Sequence, residues 1–101
     1  KLFTHDDYDG VACAILAKLA FGGNVDISYC QYNNIDKRVE KFISEMINVD
    51  MCHITDIRIN NTLAEKINDE FDNFILLDHH PTSLDLRKYD WCKIKIKKGM
   101  I

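Results

Sequence analysis

Phe74-Ile75-Leu76-Leu77-Asp78-His79-His80 is the stretch on which the fold turns. Four consecutive apolar residues read as a strand buried on both faces, the pattern of a central strand in a parallel sheet. That strand runs straight into a carboxylate and two imidazoles, so groups able to hold a metal or move a proton stand where a buried strand ends. The same arrangement recurs near the start of the chain, where Leu2-Phe3-Thr4 leads into His5-Asp6-Asp7-Tyr8-Asp9-Gly10. Between the two, a short mixed strand over residues 51–55 delivers Asp56 at its end.

Working outward, strand-like and helix-like segments alternate. Residues 2–4 form the first strand. From Gly10, residues 11–20 are helix-forming and apolar nearly all round, as a helix clamped against a sheet would be, and Gly22-Gly23 ends it where a left-handed cap belongs. Residues 25–32 alternate Val25, Ile27 and Tyr29 against Asp26, Ser28 and Cys30, which suits an edge strand with one more exposed face. Ile35, Val39, Phe42, Ile43, Met46 and Ile47 then recur on one helical face. Thr62 with Glu65 predicts a capping box, and Leu63, Ile67 and Phe71 give a third helix its buried stripe. Residues 73–77 are the fourth strand. Pro81 and a polar stretch break the pattern, and Lys93-Ile94-Lys95-Ile96-Lys97 alternates as a last strand with a solvated lysine face. No repeat, low-complexity tract or linker interrupts this order. Residues 1–101 therefore read as one α/β domain: an open, mostly parallel sheet of four to five strands with helices on both faces.

Composition narrows the function classes. At 101 residues the chain can build one core and no more. A formal net charge of −3 offers no broad basic surface for duplex DNA, so any nucleic acid it handles is expected to be a short substrate. Cys13, Cys30, Cys52 and Cys92 are scattered without a C-x-x-C pair, which predicts four free thiols in a reducing cytoplasm. No run is long and apolar enough to cross a bilayer and no signal-peptide pattern opens the chain; Lys1 rather than Met stands first, as in a trimmed fragment.

In open α/β sheets a ligand crevice forms outside the carboxyl ends of the strands, where strand order reverses. With the second strand on one side of the first and the third on the other, the reversal falls between strands one and three. Asp56 then stands beside the His5–Asp9 cluster, with Asp78, His79 and His80 one strand further on. Carboxylates at Asp7, Asp9, Asp56 and Asp78 converging there cannot all stay ionised unaided, and neither motif contains Lys or Arg. One or two divalent cations are the simplest counter-charge, and mixed imidazole and carboxylate ligands suit manganese, iron, cobalt or zinc better than calcium. Taken singly, each Asp is more simply explained as a helix cap or a solvated loop end; the set is what points to metal.

His5-x-Asp7-x-Asp9-Gly10, the isolated Asp56 and Asp78-His79-His80 together resemble the first three motifs of the DHH phosphoesterase superfamily. That group includes RecJ-type single-strand exonucleases, oligoribonucleases, cyclic-dinucleotide phosphodiesterases and family II pyrophosphatases, and the short gap from His5 to Asp7 looks more like the RecJ-type pattern. The resemblance implies a cytoplasmic hydrolase with a Rossmann-like DHH domain. It would act on a phosphodiester or phosphoanhydride of a nucleotide or short single-stranded oligonucleotide. It would use two manganese ions, with magnesium or cobalt as substitutes, about 3.5–4 Å apart. His5 and Asp7 would hold one metal, Asp9 and His79 the other, and Asp56 would bridge both. His80 would contact the phosphate or assist the leaving group, and Asp78 would orient an imidazole. Asp6 matches no position in the pattern. No membrane partner is implied, and oligomeric state is left open.

The chain departs from the family pattern in two ways. Members carry a fourth motif, another Asp ligand well beyond the His pair, whereas only Asp85 and Asp90 follow here and both lie too close. They also carry a C-terminal substrate-binding domain, so the chain corresponds to the front part of a member, truncated or degenerate. Two other readings stay open. One is a non-catalytic relative that binds metal or nucleotide without turnover. The other is a receiver-like phosphoacceptor domain, which also places acids after strands one and three but has no use for His79-His80. His53, within the third strand, reads as a core or lining residue. Tyr89 and Trp91 could stack a base, although packing is the stronger reading there. Thr4 and Thr55, each preceding a ligand position, are candidates to hydrogen-bond those ligands.

Overall fold

The computed structural model of the protein describes residues 1–22, 25–45 and 51–95. In chain order these form β1 (Leu2–His5), α1 (Tyr8–Phe21), β2 (Ile27–Cys30), α2 (Ile35–Ser44), β3 (Cys52–Thr55), α3 (Asn61–Glu70), β4 (Phe74–Asp78), a 3-10 helix (Pro81–Lys88) and β5 (Cys92–Ile94). The five strands pair in parallel in the order β2-β1-β3-β4-β5. This is the open parallel α/β arrangement that the alternating pattern predicts, Rossmann-like in its layout, with β2 at an edge and the order reversing between β1 and β3.

Register sets the core. Phe3 lies opposite Ile54, Ile54 opposite Leu76, and Leu76 opposite Cys92, and residues in register on parallel strands share a face. The row they make is covered by Val39 and Phe42 of α2, Leu63 and Ile67 of α3, and Leu86 of the 3-10 helix. Side chains such as Ile54, Leu76 and Ile67 are almost wholly removed from water, a gain of roughly 1.5–3 kcal/mol each. Apolar residues three and four apart on α2 and α3 are what turn those helices onto this face.

The opposite face carries α1. The sequence predicts a clamped, all-round buried helix, but only Gly10 and Ala14 of α1 are buried, while Ile15, Leu16, Leu19 and Phe21 are exposed. Among the described residues a single helix covers this face, and it meets the sheet through its smallest side chains. A cavity of about 850 Å³ lies beneath it, lined by Leu2, Cys13, Ala17, His53 and Leu77 among others. The same thin cover corrects two strand readings. β4 is buried on the Phe74 and Leu76 side, whereas Leu77 is exposed. In β2 the core residue is Cys30 and Tyr29 is exposed, because Tyr29 shares the α1 face with Thr4.

Capping moves two helix boundaries. α1 starts at Tyr8, before Gly10, since Asp7 Oδ1 accepts the Gly10 N–H at 2.9 Å. α3 is capped by Asn60, not by Thr62: Asn60 Oδ1 accepts the Leu63 N–H at 2.7 Å, and the Asn60 N–H itself donates to Asp36 Oδ1 at 2.7 Å. Phe71 is the extended residue that ends α3, packed edge-on against Phe74. Gly22 ends α1 at φ 68° and ψ −145°, a positive-φ conformation open to glycine but not the left-handed helical cap that the sequence predicts. Met46, Ile47, Gly23, Ile96 and Lys97, invoked in the sequence patterns, lie outside the described residues. All four cysteines are free. Tyr89 and Trp91 stack on each other at 5.8 Å and pack against the core, with Trp91 Nε1 donating to Asn68 Oδ1. No described helix is long and apolar enough to cross a membrane.

Gly10 fixes how close α1 comes to the end of β1. A Cβ there would sit 1.7 Å from the His5 carbonyl oxygen, against backbone that cannot yield. Gly10→Ala is expected to lower unfolding free energy by about 3 kcal/mol, the upper end of over-packing costs, read from denaturant titration. Wild-type stability in that variant would contradict this approach.

Candidate metal centre

Strand order brings the three motifs to one crevice. His5 is the last residue of β1, Asp56 follows β3, and Asp78 ends β4. The Asp56 N–H donates to the Leu77 carbonyl at 2.9 Å, so the β3–β4 pairing carries Asp56 inward by one more step. Its backbone is left-handed, with φ 60°. Asp is among the few non-glycine residues that tolerate this conformation, which turns the carboxylate into the crevice with its side chain 2% exposed.

Two groups of ligand-type atoms share that carboxylate. His5, Asp7 and Asp56 form one, and Asp56, Asp78, His79 and His80 form the other, with the ligand atoms of each group within 4.8 Å of one another. On the first side, His5 Nδ1 is 2.9 Å from Asp7 Oδ2 and 3.8 Å from Asp56 Oδ2. On the second, His79 Nε2 is 2.6 Å from Asp56 Oδ1 and 3.6 Å from Asp9 Oδ2. Each oxygen of Asp56 therefore faces a different histidine. His5 Nδ1 and Asp56 Oδ2 are buried and make no hydrogen bond. A buried polar atom without a partner is rare and costly, and two of them facing each other across 3.8 Å, beside a second carboxylate, that of Asp7, fit a cation between them. Asp9 is the outlying member, with its side chain 69% exposed.

The electrostatics agree with this geometry. Burial pushes the Asp56 carboxyl above its ordinary value and the nearby Asp7 adds to the shift, against the lowering effect of His79. Asp7 is held below its ordinary value: partial burial opposes this, but the Gly10 amide, Asp56 and His5 outweigh it. No Lys or Arg pairs with either carboxylate among the described residues. Burial, helped by Asp56, Asp9 and Asp7, pushes the Cys13 thiol up, so this nearby cysteine stays protonated at neutral pH. Tyr32, which no sequence pattern singled out, lays its ring against His5 at 4.7 Å.

Asp78 is spent differently from Asp56. Its Oδ1 accepts the His79 N–H at 2.9 Å and lies 2.6 Å from His80 Nδ1, while Oδ2 accepts the Ser83 hydroxyl. With both oxygens engaged, Asp78 supports the imidazole beside it. Ser83 was also silent in the sequence, because a lone Ser in a polar turn has no periodicity to mark it as buried. Arg58 ties this turn to the β3–α3 connection, donating to Asp85 Oδ1 at 2.7 Å and to the Thr82 carbonyl. Asp85 is thereby used up in an ion pair, and Arg58 draws its carboxyl below the ordinary value.

Several candidates stand outside the cluster. Asp6 accepts from Gln31 Nε2 at 2.9 Å and approaches His5 Nε2 only to 3.8 Å. His53 lies on the α1 face beside Phe21, and burial lowers its imidazole from the ordinary value. Thr4 and Thr55 do not touch the ligands. Thr55 donates to Thr4 at 2.8 Å and Thr4 donates to the Gly10 carbonyl at 3.0 Å, a buried relay that locks α1 to both strands.

Fold and crevice together define a Rossmann-like α/β domain with a cluster of His and Asp at the carboxyl ends of its strands. The chain is 35% identical, over 95% of its length, to Oligoribonuclease NrnB of Bacillus subtilis (strain 168), and spans 26% of that protein, about a quarter. No family model and no solved structure matches the chain.

Because burial raises the Asp56 carboxyl, Asp56 favours folding most below its unfolded value, and this contribution fades as pH rises through the folded value. At pH 7 in chelator the charge opposes folding. Asp56→Asn keeps the shape, tolerates the left-handed backbone, and is expected to melt higher than wild type at pH 7 in chelator, with the gap closing toward pH 3. Manganese is expected to raise the melting temperature of wild type and not of the variant. A variant less stable than wild type in chelator would contradict the assigned electrostatics.

Proposed function

We propose that this chain is the DHH-type catalytic domain of a metal-dependent phosphoesterase that hydrolyses nucleotides or short oligonucleotides. The observation that carries the reading is Asp56: one buried carboxylate, shared by two histidines on opposite sides, with an unpartnered oxygen facing an unpartnered imidazole nitrogen. The 35% identity to a protein named as an oligoribonuclease supports the substrate class. A formal net charge of −3 agrees with a short substrate rather than a long duplex.

His5 and Asp7 would hold one ion, Asp9 and His79 a second, and Asp56 would bridge them. Manganese is the proposed occupant, and when bound it would supply a Lewis acid and a water of lowered pKa. The protein's own part is to orient and to move protons. Asp7 serves twice, capping α1 through Oδ1 while Oδ2 faces His5, so the ligand geometry is tied to the helix. His80 is held at Nδ1 by Asp78, which leaves Nε2 free; with the ring protonated at both nitrogens, Nε2–H would donate to a phosphate oxygen or give its proton to the leaving oxygen. Tyr32, resting on His5, shields that imidazole from water.

The test is hydrolysis of two- to five-residue RNA by the full-length protein. Release of mononucleotide is expected with manganese and not in chelator, and Asp56→Ala is expected to lose at least about a hundredfold in kcat/KM. Hydrolysis that persists in chelator, or survives Asp56→Ala, would remove the metal-dependent reading. Manganese binding without turnover on any phosphate ester would replace it by a binding module.

A further inference from the structure

Ser83 is a wholly buried polar residue that the reaction outlined above does not use. Its backbone N–H donates to the His80 carbonyl at 3.0 Å, which by itself closes the turn after β4. Its hydroxyl does something the turn does not need: it reaches back five residues to Asp78 Oδ2. The Asp78 side chain is 0% exposed, so water is not available to replace that donor.

Three donors consequently fix the carboxylate plane. The His79 N–H and His80 Nδ1 meet one oxygen, and Ser83 meets the other. A carboxylate only accepts hydrogen bonds, so the His80 nitrogen 2.6 Å away must carry the proton, and in a neutral ring the second nitrogen then bears the lone pair. Remove the hydroxyl and Asp78 Oδ2 is orphaned in a dry site. The carboxylate is then free to turn about its own bond toward other donors, and His80 loses its fixed acceptor.

We propose that Ser83 is a positioning residue which, through Asp78, locks the neutral His80 ring in the Nδ1–H tautomer, so that Nε2 is the nitrogen left to take up a proton. The proposal deepens the phosphoesterase reading, and its catalytic consequence rests on that reading. The physical link from Ser83 to His80 does not.

Two measurements on the full-length protein keep these apart. Ring ¹H–¹⁵N correlation at pH 8 in chelator is expected to show His80 as a single Nδ1–H tautomer in wild type and as a mixture in Ser83→Ala, with His53 unchanged. In the manganese-dependent assay, Ser83→Ala is expected to lower kcat roughly tenfold with KM and manganese affinity unchanged, and to cost nothing further in a His80→Ala background. Ser83→Cys keeps the side-chain volume but donates weakly; it is expected to fall between the two and serves as the second variant should Ser83→Ala fold poorly. A single Nδ1–H tautomer retained in Ser83→Ala, or rate losses that multiply in the double variant, would overturn the proposal. If no phosphate ester is hydrolysed, the phosphoesterase reading fails, and the His80 tautomer still decides what Ser83 does.

Discussion

A buried, uncompensated carboxylate is the constraint around which this domain is arranged. Asp56 sits in a left-handed backbone conformation, almost without solvent, between His5 and His79, and no Lys or Arg approaches it among the described residues. Charge in such a place is unfavourable unless it is paired. The fold tolerates it because β3 and β4 hold Asp56 by its backbone while the core is completed elsewhere. Strain and unmet charge concentrated at one residue, with well-packed apolar rows beside it, is the distribution expected when a site is kept for binding at a cost in stability.

Around that carboxylate, the same atoms serve structure and chemistry at once. Asp7 caps α1 with one oxygen and faces His5 with the other. Gly10 permits the helix to rest on the His5 carbonyl, and the Thr55–Thr4–Gly10 relay pins that helix to both strands whose ends form the crevice. A change in how α1 sits would therefore be felt directly at His5 and Asp7. On the far side, Arg58 and Asp85 hold the turn that carries Ser83, and Ser83 holds Asp78. The two histidines of the D-H-H motif thus have different supports: His79 leans on Asp56, and His80 on Asp78.

The two faces of the sheet are unequally finished. Regular helical spacing on α2 and α3 turns their apolar stripes onto the Phe3–Ile54–Leu76 row. On the other face α1 meets the sheet through Ala14, and larger apolar side chains such as Leu19 are exposed to solvent. The site draws on both faces, since His5 and Asp56 belong to the well-covered side while Thr4 and Thr55 anchor α1 on the thin one.

Much of this was legible in the residues alone. Apolar periods of two and of 3.6, punctuated by Gly22, Pro81 and the acidic strand ends, specify a parallel α/β sheet, and the crossover rule then places Asp56 beside the His5–Asp9 cluster. Those signals are local, so they survive being read along a line. What the line could not show depends on distant partners. Asn60 rather than Thr62 caps α3 because Asp36 reaches it from α2. Asp78 and Asp56, alike as acids after strands, take different parts because Ser83, the His79 backbone N–H and the His80 imidazole surround one of them and the other is left with an unmet oxygen. Sequence determined which groups reach the crevice; only tertiary structure decided which of them are satisfied by the protein and which are not, because hydrogen-bond partners are chosen in space rather than in order.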